Sequence, residues 1–101
     1  MTESIKYQIA SSVSTTYKQC SIEWGCTTEE INNNEVIDFI KEDLIDKIKY
    51  ISKINNVNLN NIVTSIEKDM SIYDMFATID NAVDGIKNHI DLPFSLPARI
   101  A

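Results

Sequence analysis

The stretch that decides the fold is "IKYQIASSVSTTYKQCSIEWGC", Ile5 to Cys26. Its first half places Ile5, Tyr7, Ile9, Val13 and Tyr17 at odd positions, and Lys6, Gln8, Ser12, Ser14 and Lys18 at even ones. Alternation with period two sends successive side chains to opposite faces of a strand. In the second half the apolar set moves to Cys20, Ile22, Trp24 and Cys26, separated by Ser21, Glu23 and Gly25. Two such runs, rich in β-branched and aromatic residues and joined near "STTYKQ", read as a β-hairpin over about residues 4–27. No Asn-Gly or Asp-Gly marks the join, so its turn type stays open. A helix over Met1–Lys18 is the rival reading, and an all-α bundle goes with it.

Downstream the period changes. In "TTEEINNNEVIDFIKEDLIDKIKYISKINN", Val36, Ile37, Ile40, Leu44, Ile48 and Ile51 follow helical spacing and define one buried stripe. Asn32 offers a cap with Glu35 at the capping-box position, Lys47, Lys49 and Lys53 fall late, and Asn55–Asn56 suits a helix end. The spacing predicts a helix over about 34–54. Leu59, Ile62, Val63, Ile66 and Met70 predict a shorter one over about 59–69. Ser71, with Asp74 three residues on, caps a third; its seam Ile72, Phe76, Ile79, Val83, Ile86, Ile90 repeats every seven residues and predicts a helix over about 72–90. Gly85 weakens that helix or marks an early end, and Pro93 and Pro97 make 91–101 an extended tail. The expected architecture is α+β: a hairpin packed on a long amphipathic helix and one or two more, in a single domain of 101 residues.

Composition narrows the chemistry. At 44% hydrophobic and 24% charged the chain can build a core and is not of the disordered class. Without an apolar run of about 18 residues or a basic start leading into one, neither a membrane span nor a secretory signal is expected, which leaves a cytoplasmic protein. Cys20 and Cys26, six residues apart on a strand, would lie about 20 Å apart, too far for a disulfide. They read as buried thiols, and with a single histidine there is no zinc ligand set.

No catalytic constellation emerges, so the expectation is a protein that is not an enzyme and needs no cofactor or metal. His89 near the end of the last helix suits contact with helix carbonyls, and no Gly-rich phosphate loop exists. "DNAVDGIKNHID", Asp80 to Asp91, has the length of a calcium loop, but Ala82 stands where an oxygen ligand is needed and Asp91 where a Glu is usual. An amphipathic helix accounts for the same residues.

Charge supplies the positive argument. The net charge is −6, and eight carboxylates (Glu23, Glu29, Glu30, Glu35, Asp38, Glu42, Asp43, Asp46) face one Lys41 between Glu23 and Asp46. That balance disfavours duplex DNA and suits a basic protein surface. The expected function is a small acidic protein-binding module that occupies a surface of a larger protein. In size and composition it is analogous to regulators and inhibitors encoded by phages or mobile elements. Glu29, Glu30, Glu35, Asp38, Glu42 and Asp43 are its candidate contacts, together with Tyr7, Tyr17 and Trp24 of the hairpin. The alternative is a single-stranded nucleic-acid-binding protein that stacks bases on those three aromatics. A homodimer could form through hairpin edges or the last helix.

Overall fold

A computed structural model describes residues 1–24 and 34–91, and among them every regular element is helical. Four α-helices follow in order: α1 Glu3–Trp24, α2 Asn34–Asn55, α3 Asn60–Lys68 and α4 Ile72–Ala82, with a 3-10 turn at Ile86–Asn88. The fold class is therefore all-α. The N-terminal β-hairpin, and the α+β class with it, is overturned by α1.

The reason lies in which residues α1 buries. Ile5, Ile9, Ala10, Val13 and Thr16 are buried, at spacings of three and four, whereas Tyr7 is 53% exposed. A strand would have put Tyr7, Ser11 and Thr15 on the same side as Ile5 and Ile9. The apparent alternation rested on Ile5, Ile9 and Val13, whose spacing of four fits either period. The hydroxyl-rich middle is tolerated because Ser12 Oγ donates to the Gln8 carbonyl and Thr15 Oγ1 to the Ser11 carbonyl, both at 3.0 Å. Thr2 starts the helix, its Oγ1 accepting from the Ile5 amide at 3.3 Å while its carbonyl accepts from Lys6.

Like α4, α2 touches each of the other three helices. Its buried residues are Val36, Ile37, Ile40, Leu44, Ile48 and Ile51. It stops where Asn56 turns left-handed (φ 52), a conformation Asn tolerates, and Val57 N–H donates back to the Ser52 carbonyl. The Lys41 ammonium reaches over from α2 to the Glu67 and Asp69 carbonyls, placing a cation at the negative end of α3. Ser71 Oγ accepts from the Asp74 amide at 3.1 Å and begins α4.

The helix expected to reach residue 90 ends at Ala82. Asp84 (φ 59) and Gly85 (φ 96) take left-handed backbone, and Asp80 closes the turn by accepting from the Gly85 and Ile86 amides. The seam nevertheless stays inside: Ile72, Phe76, Ile79, Val83 and Ile86 are all buried. The 3-10 turn keeps Ile86 pointing into the core after the α-helical hydrogen bonding has ended. From Ile72 to Ile86 that seam is intramolecular core, and among the described residues there is no strand to supply a hairpin edge.

Candidate functional site

The expected contact residues do not form one surface. Tyr17 and Trp24 belong to α1 by backbone, but their side chains lie outside the described residues, as do Glu29 and Glu30. No hairpin platform unites the three aromatics. Cys20 is likewise helical by backbone, and Cys26 lies outside the described residues, so the strand-based spacing argument against a disulfide falls with the hairpin.

Asp43 turns inward. Its Oδ2 accepts from Thr16 Oγ1 at 2.6 Å and from Lys47 Nζ at 2.7 Å, and Lys47 also donates to Thr16 Oγ1 at 2.7 Å. Thr16 is 2% exposed and the two charged side chains are about three-quarters covered. This closed triangle joins α1 to α2. Its hydrogen bonds to charged groups are of the stronger kind, and Asp43 is unavailable to a partner as an open carboxylate.

Glu35, Asp38 and Glu42 remain exposed on the outer side of α2. Phe39 stands among them, 39% exposed, at the edge of a shallow depression of about 190 Å³ shared with Glu42, Asp43 and Asp46. Spacings of three and four keep these side chains on one helix face. The result is an aromatic ring framed by carboxylates at the N-terminal end of α2.

A second feature lies further along the same helix, between α1 and α2. A groove of about 430 Å³ is lined by Tyr7, Gln8 and Ser11 from α1 and by Asp46, Tyr50 and Ile54 from α2, among others. Tyr50 and Ile54 are 63% and 55% exposed. Gln8 and Asn55 exchange amide hydrogen bonds across the helix pair, which fixes one end of the groove. Tyr50 and Ile54 were no part of the expected site. The exposure of Tyr50 could have been found from sequence, because it falls off the buried stripe of α2, whereas Ile54, three residues after buried Ile51, continues that stripe by spacing.

His89 packs between the turn after α4 and the start of α1. Its Nε2–H donates to the Val83 carbonyl at 2.6 Å, Nδ1 faces Glu3 Oε2 at 3.5 Å, and the side chain is largely buried. Close by, Lys6 Nζ lies 2.6 Å from Asp84 Oδ2 and 3.7 Å from Glu3 Oε1, tying α1 to the turn after α4. The hydrogen bond to Asp84 holds the Lys6 ammonium above its usual range, and the same bond holds the Asp84 carboxyl below its own. Both groups work as a structural clasp.

Among the described residues no group of three or more His, Cys, Asp or Glu could hold a metal ion, and the carboxylate of Asp80, first residue of the calcium-like stretch, accepts from the Ile86 amide. No described helix is long and apolar enough to cross a membrane. Comparison with protein-family models, with curated proteins and with solved structures returns no significant match.

Proposed function

We propose that this four-helix protein acts without catalysis, by laying the acidic end of α2 against a basic surface of a larger protein. The observation that carries the reading is the framed ring: Phe39 half-exposed between Asp38 and Glu42, with Glu35 one turn earlier. Carboxylates around an aromatic anchor combine long-range attraction with a small apolar contact, the usual division between a polar rim and a central anchor. A regulator or inhibitor of the kind that phages and mobile elements encode would work in this way, by covering a surface its target needs.

The reading is tested by capture from lysate of the native host, with and without nuclease, using wild type and an Asp38→Lys/Glu42→Lys variant. A protein retained after nuclease by wild type and lost from the variant supports it. Equal retention by both removes the acidic end from the interface. Retention that vanishes with nuclease supports nucleic acid as the partner instead.

A further inference from the structure

We propose that the exposed face of α2 around Tyr50 closes on the same face of a second copy of this chain, the two α2 helices crossing antiparallel about a two-fold axis. This surface is centred on Tyr50, two to three turns beyond Phe39 and Glu42, and shares Asp46 with the depression at the acidic end of α2.

The apolar part comes first. Tyr50, Ile54 and Tyr7 are each more than half exposed and stand together around the α1–α2 groove. Three large side chains left open in one place mark a contact surface more strongly than the same residues scattered. What covers them is decided by the charges on either side.

Asp46 and Lys53 are both exposed, and neither has an ion-pair partner among the described residues. They lie seven residues apart, two turns or about 10 Å along α2. Tyr50 sits between them, four residues after Asp46 and three before Lys53, on the same strip of helix. A basic peptide would complement only one end of this strip. A second copy running the other way complements both ends. Rotation about an axis midway between Asp46 and Lys53 brings Asp46 of each chain opposite Lys53 of the other and sets Tyr50 beside its own counterpart. Such an arrangement is isologous, with each residue's contact made twice.

The acidic end does not oppose it. With the axis between residues 49 and 50, Glu42 would fall opposite position 57 of the second copy, past the end of that helix at Asn55. Asp38 and Glu35 lie further out still. The carboxylates therefore do not face one another, and the dimer would carry its two acidic ends at opposite extremes.

Sedimentation equilibrium from about 1 μM to about 1 mM spans the affinities expected of a small interface. About 0.15 M salt confines charge effects to about 8 Å, so that contact pairs dominate over the net charge. The expected mass rises from the 11.5 kDa of one chain to about twice that value. Asp46→Lys alone and Lys53→Asp alone each set like charges opposite one another, and each should weaken association about tenfold or more. An equimolar mixture of the two variants restores opposite charges at both contacts and should recover the dimer as a heterodimer. A folding defect could not produce that recovery. Tyr50→Glu, at an exposed position, should be monomeric with an unchanged helical circular dichroism spectrum. Wild type that stays monomeric over the whole range overturns the proposal. So do single variants that associate like wild type, or a mixture no better than its components.

Discussion

Thr16 of α1 and Asp43 of α2 meet through a 2.6 Å hydrogen bond, with the Lys47 ammonium within 2.7 Å of both. One of these residues belongs to a stretch that reads as a strand, the other to a run of acids that reads as an open surface. Their meeting sets the α1 helix against α2 and takes Asp43 out of the open acidic surface. It also divides the carboxylates of α2 into one that holds the fold together and several that face outward.

That division predicts different costs. Thr16→Val removes a buried hydroxyl from a charged partner and should destabilise by about 1–3 kcal/mol. Asp38→Ala, at an exposed position, should stay within about 0.5 kcal/mol of wild type. Urea unfolding followed by circular dichroism measures both. Equal effects would mean that the triangle contributes nothing.

The helical assignment of the N-terminal segment has its own test. Ile9 is fully buried and Tyr7 more than half exposed, although a strand would place them on one face. Ile9→Ala should cost about 2–5 kcal/mol, as large-to-small core changes do. Tyr7→Ala should cost less than about 1 kcal/mol, because little is packed against the ring. Comparable losses at the two positions would restore the hairpin.

The Lys6–Asp84 clasp predicts a pH signature. Asp84 is held below its usual 3.8, so its contribution is fully present above that pH and is lost as pH falls through the lower, folded value. Lys6 is held above its usual 10.5, so its contribution is fully present below that pH and is lost as pH rises through the higher, folded value. Asp84 stands largely in solvent, although the Lys6 side chain is mostly covered, so the effect is small. The Tm difference between wild type and Lys6→Met should be constant between these limits and shrink towards zero outside them. A difference that persists at pH 2 would assign the loss to packing of the Lys6 stem.

Gly85 should resist substitution. Its φ is 96, and a Cβ placed there would lie 2.7 Å from Asn88 Nδ2, which itself donates to the Asp84 carbonyl. Gly85→Ala should therefore destabilise by about 1 kcal/mol or more, through backbone strain and through loss of the Asn88 contact. Thermal unfolding measures it. A Tm at or above that of wild type would show that the turn relaxes at no cost.

Local signals in the sequence were enough for part of this structure. The stripe on α2, the Ser71 cap of α4 and the left-handed Asn56 each depend on residues within a turn or two, so composition and spacing determine them. The candidate site was legible only in fragments. Glu35, Asp38 and Glu42 are exposed because they lie opposite the α2 stripe, but sequence could not say that α1 would reach Asp43 and draw it inward.

The opening stretch depended on more than local pattern. Ile5, Ile9 and Val13 are four apart, and four is a multiple of the strand period as well as close to one helical turn. Only burial separates the two readings. Tyr7 had to be exposed, and Ala10 and Thr16 buried, for the helix to be the answer. The sequence by itself determined the apolar stripe of α2, the end of that helix at Asn55–Asn56, the Ser71 start of α4 and the sign of the charge. Tertiary structure decided that α1 is a helix, because only packing against α2 selects which of two compatible faces is removed from water.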